Sequence, residues 1–569
     1  MFNLKYGRDQ FRGVAKAGIR PLWVLAILTA AMPSLGRAAA HYVSPQGSDS
    51  NPGTQSRPWR TLSRVSASRF SPGDRILLEG GQAFDGSLTL DERSASSAGN
   101  PIVIGSYGRG RAVIRAGPAT AILVRNLGGI VIRELVVTGA GGGANRGFGV
   151  EVVNERGTTG LDDIWIENLE VSGFHWAGIY VGGAPDLPGV RQAAAGRYGF
   201  ENVRISRSLA HHNLYYGIWV SGPWTQDHWG YANRDVAISD CIAHDNPGDP
   251  AYKENHSGNG ILLDDTDGGS IEHSTAYHNG ETNGSLQGGP VGIWTDESNR
   301  VTIQFCESYS NRTGGSADGG GFDLDGGVTN SRMQYNYSHD NDGAGYLVWN
   351  YGGAIHPLAH NVVRYNVSEN DVRKHRYGGI TVGSFGEAIR DLEVYNNTVF
   401  ISSGSGAEAR SVWIARGSPG IGIRFRNNLL ISDGGAPLVE IESDKRDVLF
   451  QGNAYWARQG AFAVIEAGKT YVSLKDWRQA TGQERLDGRE IGMSPAAGVT
   501  QMGSGQTIAG LGPLSELAAY RLLPGSPLID AGLDLGAEFG LDVGTQDFWG
   551  TPIPQGKAFD IGACEAPGR

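Results

Sequence analysis

Val301-Thr-Ile-Gln-Phe-Cys-Glu-Ser-Tyr-Ser-Asn311, followed shortly by Gly321-Phe-Asp-Leu-Asp325, is one copy of a phrase that recurs through the middle of the chain. A short apolar run leads to a polar turn ending in Asn, and a Gly then opens an alternating segment. The turn asparagines are Asn213, Asn246, Asn279, Asn311, Asn341 and Asn370, at intervals of 33, 33, 32, 30 and 29 residues. A period near 30 suits helical pairs, horseshoes, propeller blades or β-helix coils, and residue type decides among them. Val203-Arg-Ile-Ser206, Val236-Ala-Ile-Ser239, Val301-Thr-Ile-Gln304 and Val362-Val-Arg-Tyr365 are β-branched and alternate with period two. The 87 glycines suit tight corners that need positive φ. Asn stacked at one corner tolerates the left-handed region and can bond to its copies above and below. The reading is all-β: a single-stranded right-handed parallel β-helix with N-terminal and C-terminal caps.

The first 40 residues differ from the rest. Lys5, Arg8, Arg12, Lys16 and Arg20 precede an apolar run from Leu22 to Met32, and Ala38-Ala39-Ala40 follows. This is the pattern of a signal peptide, and the run is too short for the ~20 apolar residues of a spanning helix. The expectation is a secreted or periplasmic protein cleaved before His41, with no membrane partner once the signal is removed. Residues 1–40 hold six basic residues and one acidic residue, so the mature chain sets 42 Lys+Arg against 58 Asp+Glu, about −16. Such a balance repels nucleic acid and leaves neutral sugars or metal cations as easier partners. Cys241 and Cys306 share a phase two coils apart, too far for a disulfide, and read as core thiols. The expected organisation is a signal peptide (1–40), an N-terminal cap with its first strands (41–101), the β-helix (102–452) and a C-terminal capping region (453–569), where Tyr471 to Thr481 reads as a short amphipathic helix.

Aligned on their Gly, the coils read Gly178-Ile-Tyr-Val-Gly182, Gly217-Ile-Trp-Val-Ser221, Gly260-Ile-Leu-Leu-Asp264, Gly292-Ile-Trp-Thr-Asp296, Gly321-Phe-Asp-Leu-Asp325, Gly345-Tyr-Leu-Val-Trp349 and Gly379-Ile-Thr-Val-Gly383. Alternation sends Ile179, Ile218, Ile261, Ile293 and Phe322 into the core. The remaining positions form two outward columns, read here as facing water. One holds Tyr180, Trp219, Leu262, Trp294 and Asp323, and the other Ser221, Asp264, Asp296, Asp325 and Trp349. Asp264, Asp296 and Asp325 stand on consecutive rungs, Asp265 and Glu297 follow at strand ends, and Asp323 shares a rung with Asp325. Carboxylates ~4.8 Å apart repel, so a cation or a shared proton is implied.

Aromatic side chains beside acids suit a sugar groove, with Trp219, Trp294, Trp349 and Tyr180 as stacking surfaces, Trp224, Trp229 and Tyr351 in adjoining loops, and His256 as a further site residue. Alternate rungs place carboxyls about 9.5 Å apart, at the inverting separation. Asp264 and Asp325 would then flank a glycosidic bond, with Asp296 raising their proton affinity and no cofactor required. The other histidines, His211, His212, His244, His278 and His339 among them, recur at a corner and read as turn-stacking.

His41-Tyr-Val-Ser44, Pro58-Trp-Arg-Thr-Leu62 and Pro72-Gly-Asp-Arg-Ile-Leu-Leu78 resemble the opening segment of secreted parallel β-helix proteins of the pectate-lyase-like superfamily. Asp318-Gly-Gly-Gly-Phe-Asp-Leu-Asp325 and Asn259-Gly-Ile-Leu262 look like coils of one family of secreted pectate lyases, where such runs bind calcium and supply a lysine base. Here their order is reversed, and Leu262 stands at the position of the lysine. The resemblance implies a polysaccharide-active enzyme. A glycoside hydrolase is preferred over a calcium-dependent lyase that would use Asp264, Asp265, Asp267 and Asp296 as hard oxygen ligands and Lys253, Lys374 or Arg373 as base. A carbohydrate-binding or adhesin-like β-helix without turnover is the third reading.

Overall fold

The computed structural model describes residues 38–185, 187, 198–223, 229–402, 408–415, 420–442, 447–496, 498–508 and 510–568. Most of the region assigned to the signal peptide lies outside these residues, as do Trp224 and His228. The chain forms a parallel β-solenoid of about twelve turns. One coil shows the pattern: Asn299–Gln304, a corner at Phe305 and Cys306, Glu307–Tyr309, the turn at Ser310 and Asn311, and then Gly320–Leu324. Each strand pairs in parallel with its copy one coil away, and alternation fills the interior with Ile179, Ile218, Ile261, Ile293 and Phe322, all at zero exposure.

Pairing is wider than the sequence boundaries suggest, because the flanking segments already supply rungs. Ala40 pairs with Arg75, and Val439–Ile441 still pairs with Val464–Glu466. At the N-terminal end a short helix, Leu62–Ser66, buries Leu62 and Val65. At the far end the expected amphipathic helix spans Leu474–Thr481, capped by Ser473, and buries Trp477 completely. No helix among the described residues is long and apolar enough to cross a membrane.

The turn asparagines are an internal ladder. Both the backbone N–H and the side-chain amide of each donate to the Oδ1 of the next: Asn213 to Asn246, then Asn279, Asn311 and Asn341. The sixth member is Asp371 and not Asn370. Asn341 donates to Asp371 Oδ1 from N at 3.2 Å and from Nδ2 at 2.8 Å. The left-handed residue is the one before each ladder member: His212, Asp245, His278, Ser310, Asp340 and Asn370, with φ between 49° and 54°. A second ladder, Asn336, Asn366, Asn397, Asn428 and Asn453, ends on Glu484. It follows Cys241 and Cys306 at the same corner, and all three cysteines are free and buried. His211, His244, Tyr277, Tyr309 and His339 stack in a column at 4.8–5.1 Å, which is the turn-stacking expected of those histidines.

The C-terminal residues pack back on the solenoid. Val499, Ile508, Leu517, Tyr520, Leu528 and Phe548 cover Tyr337, Val367, Phe400, Leu429 and Ile431 in one apolar cluster.

Candidate active site

The outward columns are in the register read from the sequence: Tyr180 pairs with Trp219, Trp219 with Leu262, Leu262 with Trp294, Trp294 with Asp323, and Asp264 with Asp296. Asp325 continues the second column, its N–H donating to the Thr295 carbonyl at 2.9 Å. The first column does not face open water. Tyr180, Trp219, Leu262, Trp294 and Asp323 are between 0% and 6% exposed. Neighbouring side chains cover them: Tyr216, on the same strand as Trp219, stacks on it at 4.3 Å, and His256, from the segment before the Asn259–Asp264 strand, meets Trp294 edge-on at 5.0 Å. Tyr180, Trp219 and Trp294 therefore build an enclosed aromatic wall where an open sugar platform was expected, while Trp349 stays partly exposed. His256 Nδ1 accepts from Asn259 Nδ2 at 2.9 Å, and burial pushes its ring down to about 4, which favours the neutral form.

Burial raises the proton affinity of Asp296, Asp323 and Asp325 beside this wall. Asp264 accepts from Ser221 Oγ and is hydrogen-bonded to Asp296. Asp296 is partly exposed as a residue, but its Oδ1 is sealed off and has no partner among the described residues. Burial, then the charges of Asp264, Asp325 and Glu297, hold Asp296 far above the usual carboxylate range. Asp323 is raised by burial and by Asp325 and Asp318, and its Oδ1 is likewise sealed without a partner among the described residues. Asp325 is pushed up to about 8 by burial, against the 2.8 Å hydrogen bond donated by Gly326 N, with Asp318 and Glu297 adding like charge. The hydrogen bond between Asp264 and Asp296 fits a shared proton, one of the two resolutions of carboxylate repulsion.

Asp318 joins this group, although the sequence placed it only at the head of the run resembling a pectate-lyase coil and gave it no role of its own. Its own φ of 54° and that of Gly319, +78°, swing the chain before the Gly320–Leu324 strand. Tyr377 OH donates to its Oδ1 at 2.8 Å and Gly289 N to its Oδ2 at 2.6 Å, yet burial keeps it raised. Asp318 and Asp325 thus stand at opposite ends of one strand, within electrostatic reach of each other over Asp323. Both are partly exposed.

Other acids turn away. Asp265, at φ 49°, accepts from Ala232 N at 3.1 Å and anchors the segment after Ser221. A Cβ on Gly222 would lie 1.9 Å from Asp265 Oδ2, so this close approach needs glycine. Asp267 pairs with Arg300 at 3.0 Å and Asn299 at 2.7 Å on another strand. The calcium quartet of Asp264, Asp265, Asp267 and Asp296 is therefore not one constellation, and no group of three or more His, Cys, Asp or Glu among the described residues is placed to hold a metal. Leu262 is buried between Trp219 and Trp294, and Lys374 Nζ is bound to the Thr313 carbonyl. Glu297 reaches a loop the sequence did not connect to it. It accepts from Tyr351 OH at 3.1 Å, Ile355 N at 2.6 Å and His356 Nδ1 at 2.9 Å, while His356 stacks on Tyr231 at 4.4 Å.

A family profile described as a right-handed β-helix region matches residues 148–362, the coils that carry these carboxyls. The chain is a right-handed parallel β-helix protein. It is 25% identical over 453 residues to a lacto-N-biosidase of Bifidobacterium longum subsp. longum, an alignment spanning 64% of this chain and 27% of that protein. The β-helix thus matches about a quarter of that relative's length. The crystal structure of a GH136 lacto-N-biosidase from Eubacterium ramulus superposes with a TM-score of 0.50 and 20% identity, over 67% of each chain. A pectate lyase, Pel9A, aligns over 94% of this chain and 97% of its own, at 17% identity and a TM-score of 0.41.

Proposed function

We propose that this β-helix is an exported glycoside hydrolase acting on oligosaccharides, with Asp325 and Asp318 as its working carboxyls. The observation that carries the reading is the rung from Asp318 to Asp325. Two partly exposed carboxyls with raised proton affinity stand at the two ends of one strand, electrostatically coupled to each other and to a buried third. Hydrolysis of a glycoside needs such a pair, one group to protonate the leaving oxygen and one to act at the sugar carbon or on water. The similarity to a lacto-N-biosidase supports an oligosaccharide substrate, and the basic, then apolar, N-terminal residues support export.

Asp318→Asn and Asp325→Asn are each expected to cut turnover of a sensitive oligosaccharide by at least ~10²-fold with the fold retained. Wild-type turnover in either well-folded variant removes that residue from the pair. Rescue separates the roles: added azide restores the variant lacking the attacking carboxylate, and an activated aryl leaving group restores the variant lacking the acid. The inverting pair, Asp264 with Asp325, is the second reading, favoured by its separation of about 9.5 Å. Turnover of Asp264→Asn distinguishes the two. Inversion together with loss of turnover in Asp264→Asn selects Asp264, whereas activity that stops on chelation with unsaturated products transfers the site to lyase chemistry.

A further inference from the structure

Beyond Asp325 the same outward face continues toward the C-terminal coils, and its side chains change character. Trp349 is one rung on and Gly383 two, paired in register. A Cβ on Gly383 would lie 2.2 Å from the Trp349 ring, so glycine is what lets the indole lie flat over the next rung. Phe385, 77% exposed, meets Trp349 edge-on at 4.8 Å. A further rung on, Trp413 pairs with Thr381 and lies 6.4 Å from Trp349 between ring centroids. The Trp413 Nε1 is sealed and has no partner among the described residues. Around it charge is nearly balanced: Arg376 and Arg410 lie over the ring at 5.6 and 5.9 Å, and both are bound to Glu440, the residue paired with Trp413 on the next strand. Glu442 takes a further bond from Arg376.

We infer that Trp349, Phe385 and Trp413 form a run of subsites that binds the part of a neutral oligosaccharide extending from the bond at Asp325 along the solenoid axis. The inference rests on the hydrolase reading for its direction. Rungs advance by ~4.8 Å, close to the advance of one pyranose along an extended chain, so each sugar beyond the bond meets one rung. Apolar ring faces suit the C–H faces of sugars, and the fixed guanidinium–carboxylate network offers donors and acceptors to hydroxyls. An anionic chain would meet the carboxylates and a cationic chain the guanidinium groups, so the face selects an uncharged, hydroxyl-rich ligand.

The test uses two chain lengths and two readouts on the full chain. An aryl glycoside of a neutral disaccharide serves as the short probe, with lacto-N-tetraose and lacto-N-hexaose as the long ones. Binding is followed calorimetrically in Asp325→Asn and turnover in its parent. Trp413→Ala and Phe385→Ala are each expected to lower kcat/KM on the longest chain about tenfold, the scale of one aromatic contact, and to leave the disaccharide unchanged. Trp413→Phe should restore most of the loss, and the exposed position of Phe385 keeps one variant free of folding effects. Unchanged ratios between long and short chains, or equal loss on both, overturn the subsites while leaving the hydrolase reading in place. Long-chain binding that falls in Trp413→Ala, in a protein that cleaves none of the probes, upholds the subsites and removes the hydrolase reading. A parent protein that binds none of these chains overturns the subsites.

Discussion

Asp296 sits between two other acids, and burial with their charge raises its proton affinity, which makes it a probe of the whole carboxyl group. Asp296→Asn is expected to preserve or slightly raise stability, because one of several mutually repelling groups is removed, and to cut turnover by at least ~10²-fold. Wild-type turnover in a well-folded Asp296→Asn protein would show that the stacked acids do not act as one site. Asp325 adds a dependence on pH. Its carboxyl is raised to about 8 in the folded chain against ~3.9 unfolded, so the folded state holds the extra proton between those values. Its contribution to stability is fully present below about pH 4 and is lost as pH rises through about 8. Unfolding midpoints measured across that window should fall less steeply in Asp325→Asn than in the parent.

At the scale of strands and turns, the pattern Gly-apolar-x-apolar-x set the register of seven rungs correctly, because one slip would have turned every core residue outward. What the strands could not reveal is what lies over them. Trp219 and Trp294 are outward in the pleat yet buried, since Tyr216 from its own strand covers Trp219, and His256, from a segment between strands, covers Trp294. Asp318 was hidden for a related reason: its role follows from Tyr377, 59 residues away. The corner ladder was legible where Asn repeats and misread by one position at Asp371, because Asn370 beside it fits the same pattern. The second ladder escaped notice because Ser274 and Cys306 precede its asparagines at that corner. Asn341 is fully buried, and its amide donates to Asp371, Ser308 and Ser338. Asn341→Ala should lower the unfolding free energy by about 2–4 kcal/mol, measured by urea titration, because it strands the donors of Asn311.

For the molecule as a whole, the returning C-terminal segment matters as much as the coils. It brings Ile508 N to Glu307 Oε1 at 2.8 Å, where Glu307 also meets His339 Nε2 at 3.3 Å. Burial works against charge on His339, but hydrogen bonds to Asp340 and Glu307 outweigh it and raise the ring to about 9. The stability this supplies is complete below the unfolded value near 6.5 and is lost as pH rises through about 9. A melting temperature that drops between those values in the parent, and not in His339→Gln, is the expected result. Both amide ladders, finally, run in one direction and stop on a carboxylate, Asp371 or Glu484, which accepts but has no amide to pass on. That polarity limits how such a chain can grow by gene duplication. Copying the coil between Asn279 and Asn311 would insert one more amide and leave both neighbours satisfied. Copying the coil that ends in Asp371 would set two acids against each other with a backbone N–H but no side-chain amide between them. Lengthening is therefore tolerated before these stops and blocked at them, which makes the two acids markers of where the solenoid's repeat number is free to drift.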